Sequence, residues 1–224
     1  MKYLKLTSLF LFVAVLFSAC SRYDGSVVGP TTVTTTQTKL KVINTATNFT
    51  SLSAKINNNS PQILAFENLL PYQTLPSGVQ KMLVKTPDGT DSLHHENNLS
   101  NNVAYTWFII DGAPLSVLPA VDNLDIPANG KAKVRISNFT NVDTINIKIT
   151  GGDNLITGIN NGAVWGYASV NSGTYNLEIR DFSDDKLLYS ANGVTFSNQN
   201  IYDLVVSGYY GGTGLKEIRF TVYN

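Results

Sequence analysis

Residues 175–180 read Tyr-Asn-Leu-Glu-Ile-Arg, so that polar and apolar side chains alternate along the whole stretch. Successive side chains of a β-strand point to opposite faces, and this alternation predicts a strand with one face in a core. Residues 131–136 and 145–149 alternate in the same way. Residues 105–110 and 202–206 are more continuously apolar, which predicts central strands. No stretch of helical period and useful length accompanies these runs, and the chain is therefore expected to be all-β.

Turn-forming residues separate the predicted strands. Asn, Asp, Gly and Pro tolerate the backbone conformations that tight turns require. They cluster at Pro87-Asp88-Gly89, Asn160-Asn161-Gly162, Asn192-Gly193 and Gly211-Gly212. About seven short strands in each half of the chain, spaced by such turns, predict β-sandwiches.

The strand pattern recurs as an internal repeat, which indicates a duplicated domain. Three short blocks appear twice in the same order, at an offset that grows from 93 to 97 residues. The pairs are Thr47-Asn48 with Thr140-Asn141, Ser77-Gly78 with Ser172-Gly173, and Ser100-Asn101 plus Tyr105 with Ser197-Asn198 plus Tyr202. We therefore expect a first β-sandwich over residues 39–124 and a second over residues 125–224.

The stretch from Val170 to Arg180 resembles a signature of the bacterial domain of unknown function 4397 family. In that family a small residue, Gly and Thr-Tyr precede an alternating strand, as Ser172-Gly173-Thr174-Tyr175 do here. Residues 202–208 resemble the family's later strand, which begins with Tyr and ends in Gly; the first repeat lacks the Thr-Tyr pair. The resemblance covers most of residues 39–224. It implies two tandem immunoglobulin-like β-sandwich domains, often carried by envelope lipoproteins, and no assigned chemistry.

Composition restricts the possible partners. Charged residues make up 14% of the 224 residues, against about 25% in typical soluble domains. Lys plus Arg equals Asp plus Glu at 16 each, so no basic field exists to attract nucleic acid. The single cysteine, Cys20, rules out an intrachain disulfide. Each sandwich must therefore be held by its core alone.

The N-terminus predicts export. Lys2 and Lys5 precede an apolar run over residues 9–17, and small residues follow before Cys20. This order is typical of a secretory signal peptide, here over residues 1–19. The stretch Leu16-Phe17-Ser18-Ala19-Cys20 resembles the lipobox of bacterial lipoproteins, which implies cleavage before Cys20 and acylation of its thiol. An ordinary signal peptide followed by an incidental cysteine is the alternative.

Residues 20–38 are expected to form the lipidated N-terminus and a Thr/Ser-rich tether, since they lack apolar periodicity. Ser21 follows Cys20 without an adjacent Asp, which resembles outer-membrane sorting in Gram-negative lipoproteins. We therefore expect an outer-membrane lipoprotein of the cell envelope, with the membrane as a partner through its lipid. The periplasmic or surface face, and the oligomeric state, stay open.

Four aromatic residues are candidate ligand contacts. Trp165, Tyr167, Tyr209 and Tyr210 lie near glycines at predicted strand ends or loops. Exposed aromatic rings serve recognition surfaces, and they suit a protein partner or the rings of a glycan. The alternative is that these residues close the ends of the sandwich.

Two clusters of possible metal ligands are better explained without a metal. His94 and His95 are neighbours in a predicted strand, where adjacent side chains point to opposite faces. Asp181, Asp184 and Asp185 surround a predicted turn, and their spacing matches no EF-hand loop. Asp is a common turn former. Neither a metal nor another cofactor is expected.

Two short triplets resemble the acceptor of bacterial O-glycosylation, which is Asp, then Ser or Thr, then an aliphatic residue. They are Asp91-Ser92-Leu93 and Asp143-Thr144-Ile145. Ser92 and Thr144 are the candidate modified residues.

No catalytic constellation emerges from the sequence, so the protein is expected not to be an enzyme. A serine nucleophile needs a histidine base oriented by a carboxylate, and the two histidines lie side by side in one hairpin. The expected function is a non-catalytic, lipid-anchored envelope module for binding, adhesion or scaffolding. The alternative is a carbohydrate-binding accessory protein of a glycan-uptake system.

Overall fold

The computed structural model describes residues 36–89, 92–113 and 115–224. The predicted signal peptide, Cys20 and the tether up to residue 35 lie outside the described residues. The fold is all-β and consists of two tandem immunoglobulin-like sandwiches, which confirms the predicted fold class. No helix among the described residues has the length and apolar character needed to cross a membrane.

The first sandwich contains eight strands in the described part of the chain, against the seven or so expected. They are β1 (Gln37–Asn44), β2 (Ser51–Ile56), β3 (Gln62–Ala65), β4 (Leu69–Pro76), β5 (Gly78–Lys85), β6 (Ser92–Leu99), β7 (Ala104–Asp111) and β8 (Leu115–Asp122). One sheet has the order β4-β1-β7-β8 and the other β3-β2-β5-β6. Strands β1 and β7 pair in parallel, and the other pairs are antiparallel.

The second sandwich repeats this topology. Its strands are β9 (Lys131–Thr140), β10 (Thr144–Ile149), β11 (Asn154–Asn160), β12 (Ala163–Val164), β13 (Ala168–Asn171), β14 (Gly173–Asp181), β15 (Leu187–Phe196), β16 (Ile201–Gly208) and β17 (Arg219–Tyr223). The sheets have the orders β12-β9-β16-β17, with β13 also on β9, and β11-β10-β14-β15. The short strands β12 and β13 together take the place that β4 has in the first sandwich.

A shared corner explains why the Ser-Asn and Tyr blocks recur. The Tyr105 hydroxyl accepts a hydrogen bond from the backbone N–H of Ser100 at 3.1 Å. The Tyr202 hydroxyl does the same with Ser197 at 2.9 Å. Each tyrosine thus fixes the chain just before a central strand, as in the tyrosine corner of immunoglobulin-like folds.

The predicted turn at Asn192-Gly193 is wrong, because β15 continues through both residues. The register with β14 shifts here: Tyr175 pairs with Val194, and Leu177 pairs with Ala191. Gly193 has a φ of 70°, which is the left-handed conformation that a β-bulge uses. An Asn-Gly pair suits a bulge as well as a turn, since both need a left-handed residue.

The two sandwiches pack against each other through the sheets that contain the parallel pairs. Between them lies a cluster of buried apolar residues, separate from the two sandwich cores. The first sandwich contributes Ile43 and Phe108, and the second contributes Val205 and Tyr223. Strands β1, β7 and β16 are therefore buried on both faces, which is why residues 105–110 and 202–206 are continuously apolar.

Candidate functional site

The predicted aromatic residues fall into two separate clefts. Trp165 and Tyr167 line a cleft of about 330 Å³, here called the interdomain cleft, between the edge strand β8 and the loop from β12 to β13. Trp165 is 44% exposed, and Tyr167 is half-buried. The lining residues are Leu118–Val121, Arg135, Gly162 and Val164–Tyr167.

Tyr210 lines a second cleft of about 390 Å³, here called the end cleft, at one end of the second sandwich. Tyr210 is 49% exposed, and the cleft also contains Phe182, a ring that the sequence analysis did not single out. Tyr209 is half-buried and lines neither cleft. The end cleft is lined by Asn141–Thr144, Asp181–Asp184, Lys186, Leu188 and Tyr210. The four candidates thus do not form one flat aromatic surface.

A buried ionic cluster, which the sequence pattern did not predict, lies where the two sandwiches meet. Arg135 is 2% exposed, and its guanidinium contacts Asp203 through Nε at 2.6 Å and Asp122 through Nη1 at 2.6 Å. It also donates to the carbonyl of Val121 and to the Thr106 hydroxyl. One side chain of the second sandwich thereby holds three residues of the first.

A second cation completes the cluster from the other side. Lys41 is buried, and its Nζ lies 2.5 Å from Oδ2 of Asp203. The Asp122 carboxylate accepts hydrogen bonds from the hydroxyls of Tyr72 and Thr106 as well as from Arg135. Two buried cations therefore face two buried carboxylates, and each charge has a partner.

The cluster shifts the acidity of the groups inside it. Burial by itself would lower the pKa of Arg135, but the facing carboxylates of Asp203 and Asp122 more than reverse this and raise it. Burial raises the pKa of Tyr72 well above its usual range, and the negative charge of Asp122 adds to the rise. Burial also raises the pKa of Tyr167. All three side chains thus keep their protons at neutral pH.

The two cations of the ionic cluster occupy equivalent positions in the two repeats. The internal repeat was therefore the sequence signal that could have revealed the cluster. Lys41 pairs across its sheet with Thr106, and Arg135 pairs in the equivalent way with Asp203. Lys41 contacts Asp203, and Arg135 in return contacts Thr106. Such reciprocal contacts between equivalent strands are those of a two-fold interface.

The same symmetry extends to two tyrosines. Lys41 Nζ lies 4.9 Å from the centre of the Tyr72 ring, and the Arg135 guanidinium lies 4.9 Å from the centre of the Tyr167 ring. Both distances are within the range of cation–π contacts. Tyr167, predicted as a ligand contact, thus also packs on the interface.

The two histidines point to opposite faces of β6, as their adjacency predicted. His94 is exposed, whereas the His95 ring turns inward and meets the ring of Trp107 edge-on, with 4.8 Å between ring centres. Burial lowers the pKa of His95. Neither Nε2 of His95 nor Nε1 of Trp107 has a hydrogen-bond partner among the described residues.

The acidic turn between β14 and β15 is organised by its own hydrogen bonds. Asp181 accepts from the N–H and hydroxyl of Ser183, and these bonds lower the pKa of Asp181. Asp185 lies 3.4 Å from Lys148 and 3.6 Å from Arg180. Within the described residues no group of three or more His, Cys, Asp or Glu side chains is arranged to hold a metal ion.

The two predicted glycosylation positions differ in what the structure describes. Ser92 begins β6, but its side chain lies outside the described part of the chain. Thr144 begins β10, lines the end cleft, and donates its hydroxyl to Oδ1 of Asn160 at 3.0 Å. Modification at Thr144 therefore stays a prediction, and it would place a sugar in the end cleft.

Comparisons with known proteins bear on the family. No curated protein matches the sequence. Among solved structures the chain is similar to one titled "The Bacillus anthracis TIE protein", with 10% sequence identity and a TM-score of 0.24. That match covers 77% of this chain and 34% of the solved one, so this chain spans about a third of the length of the solved protein. The family described as "Domain of unknown function (DUF4397)" matches residues 38–150, half of the chain. The chain belongs to this family, which confirms the predicted resemblance, and the matched residues lie ahead of the signature stretches Val170–Arg180 and Tyr202–Gly208.

Proposed function

We propose that this protein is a non-catalytic, lipid-anchored module of the cell envelope that binds, adheres or scaffolds at the outer membrane. The buried interface between the two sandwiches carries the proposal. An apolar cluster and a neutralised set of four charges hold the sandwiches together, so they act as one rigid unit. A rigid unit suits binding, because a preorganised surface loses little conformational entropy when a partner docks.

The location of the side chains with strongly shifted pKa values supports a role without catalysis. The largest pKa shifts belong to Arg135 and to tyrosines in or beside the interface. Two of these groups, Arg135 and Tyr72, are bound by the Asp122 carboxylate. Structural ion-pair networks perturb pKa values as active sites do, and here the groups join two sheets. The lipid anchor rests on the lipobox-like sequence before Cys20.

The anchor is tested by the intact mass of the protein purified from membranes of its own host. We expect a chain that begins at Cys20 and carries the added mass of acyl chains. The variant C20S should lack this mass and move to the soluble fraction, since acyl chains contribute about 0.8 kcal/mol per buried methylene. An unmodified Cys20 in the membrane-purified protein would contradict the proposal.

The alternative function is carbohydrate binding in a glycan-uptake system. It is favoured by the partial exposure of Trp165 and Tyr210 in two clefts of about 330 and 390 Å³. Ligand sites typically have volumes of about 300–1,000 Å³ and contain a few polar groups beside aromatic rings. The half-buried state of Tyr209 counts against a four-ring platform, so a glycan would contact one cleft at a time.

A further inference from the structure

We propose that the end cleft of the second sandwich binds an oligosaccharide that carries no acidic group, with amino sugars bound more tightly than neutral ones. This inference deepens the proposed binding role and rests on it. It assigns the ligand class and the residues that contact it. The two features that carry it are a pair of exposed rings and a surplus of carboxylate oxygens.

The rings are Phe182 and Tyr210, which lie on two different connections of the second sandwich. Phe182 is 57% exposed and Tyr210 is 49% exposed, and both line the end cleft. Lys186 holds one side of Tyr210, with Nζ 4.4 Å from the ring centre. Leaving large aromatic surface in water is unfavourable, and an apolar sugar face that covers it removes this cost.

The polar side of the cleft offers hydrogen-bond acceptors. The Asp143 carboxylate accepts no hydrogen bond from any residue that the structure describes. Among the described residues Asp181 and Asp184 each accept hydrogen bonds through Oδ1 alone, so that Oδ2 of both can accept from a ligand. Carboxylates accept hydrogen bonds from hydroxyl and ammonium groups and form strong bonds with charged donors.

The charge of the cleft selects among glycans. Asp143, Asp181 and Asp184 outnumber Lys186, so the lining is negative at neutral pH. A uronic acid would meet like charges, whereas a protonated amino sugar would meet opposite ones. This balance excludes acidic polysaccharides and ranks amino sugars above neutral sugars.

The backbone around the cleft favours a glycan over a peptide strand. The N–H of Phe182 already donates to the carbonyl of Thr144, and the N–H of Asp181 donates to that of Lys186. An extended peptide that docks by strand addition needs unpaired backbone groups. Recognition here must therefore use side chains, which suits a polyhydroxyl ligand.

Comparison of the two repeats indicates that the fold does not require these rings. The repeat places Pro87 where Phe182 stands, at the same offset of 95 residues that relates Gly78 to Gly173. It places Ala113 where Tyr210 stands, at the offset of 97 that relates Tyr105 to Tyr202. Both repeats keep the tyrosine corner, so the rings of the end cleft are an addition to one copy.

The test is isothermal titration calorimetry on the full-length protein in detergent with four probes. They are chitosan hexamer, chitohexaose, galacturonate hexamer and pentalysine. We expect chitosan hexamer to bind most tightly, chitohexaose more weakly, and galacturonate not at all. Y210A and F182A should each weaken chitohexaose binding at least tenfold, and Y210F should restore it because the ring remains. D143N should reduce the preference for chitosan hexamer over chitohexaose.

W165A is the matched control, because it removes an exposed ring from the interdomain cleft instead. If W165A abolishes chitohexaose binding and Y210A does not, the end cleft is the wrong site while the carbohydrate-binding role stands. Binding of pentalysine without either amino or neutral sugar would overturn the glycan assignment in favour of a cationic peptide. Failure of every glycan probe to bind also overturns it, and the intact-mass test of the lipid anchor is unaffected.

Discussion

Arg135 is the residue on which the polar contacts between the sandwiches converge. Its replacement by Met leaves Asp122 and Asp203 facing each other across the interface with one cation, Lys41, between them. Removing one partner of a buried ion pair typically costs about 3–5 kcal/mol, because a desolvated charge is left uncompensated. We therefore expect R135M to lower the free energy of unfolding by about that amount in urea titrations at pH 7.

R135K and K41M serve as the graded controls for this measurement. R135K keeps the charge but loses the forked geometry that reaches Asp203, Asp122 and Thr106 together. Its free energy of unfolding should therefore lie between those of wild type and R135M. K41M leaves Asp203 paired with Arg135 and should cost less than R135M. A value for R135M within 1 kcal/mol of wild type, a loss well below the ~3 kcal/mol expected, would mean that the cluster does not stabilise the interface.

Two tyrosines of the interface make stability depend on alkaline pH. Burial raises the pKa of Tyr72 and Tyr167 above the ordinary value of about 10. Below pH 10 both are protonated in the folded and the unfolded chain, and their full contribution is present. Above pH 10 the unfolded chain releases protons that the folded chain retains, so stability falls by at most about 1.4 kcal/mol per pH unit for each tyrosine.

The measurement is the slope of the unfolding free energy between pH 9 and pH 11.5. Y72F should be less stable at pH 8, since it loses the hydrogen bond to Asp122, but its slope should be shallower than that of wild type. The slope of the double variant Y72F/Y167F should be shallower still. Equal slopes for all three proteins would contradict the assignment.

At the scale of elements, strand β6 predicts a dependence on acidic pH. His95 faces inward against Trp107, and burial lowers its pKa below the ordinary value of about 6.5. Above that value the imidazole is neutral in both states, and stability is at its full level. As the pH falls, the unfolded chain takes up a proton that the folded chain resists, so stability decreases.

We expect H95Q to flatten the loss of stability between pH 7 and pH 5 in urea titrations. H94Q is the matched control, because it removes an imidazole from the same strand but from its exposed face. The expected difference in slope is at most about 1.4 kcal/mol per pH unit, the value for one proton. The same slope for H95Q and H94Q would show that His95 does not couple protonation to folding.

Comparison of the predicted and observed strands shows which elements the sequence alone could locate. Alternation located β9, β10 and β14, and continuous apolar runs located the central strands β7 and β16. The bulge at Gly193 was taken for a turn, because the same left-handed residue serves both. The recurring Ser-Asn and Tyr blocks marked the repeat because they form a corner whose hydrogen bond joins residues only five positions apart in the chain.

An alternating sequence pattern does not show which part of the protein packs against the outer face of a sheet. Lys41 and Arg135 sit at positions that face away from their own cores, where a charged residue is ordinarily solvated. Here the other sandwich covers that face and pairs both charges. The sequence pattern predicted only one of the two exposed rings in the end cleft. Tyr210 stands beside glycines, whereas Phe182, the other ring that lines the cleft, is 28 residues away in sequence.

At the scale of the whole molecule, the shared interface predicts that the two sandwiches unfold together. Calorimetry should give one transition whose calorimetric and van't Hoff enthalpies agree, as for a single cooperative unit. Two resolved transitions in the wild-type protein would show that the interface contributes little to stability.

Neighbouring residues of β16 allow the coupling to be separated from the cores. Val205 is buried against the first sandwich, whereas Val206 is buried in the core of the second. V205D places an unpaired charge in the interface and spares both cores, so we expect the single transition to split into two. V206D places the same charge in the second core, and we expect that sandwich to lose its fold while the first still melts. If V205D instead melts in one transition at the wild-type temperature, the sandwiches are coupled by the connection between β8 and β9 rather than by their packed sheets.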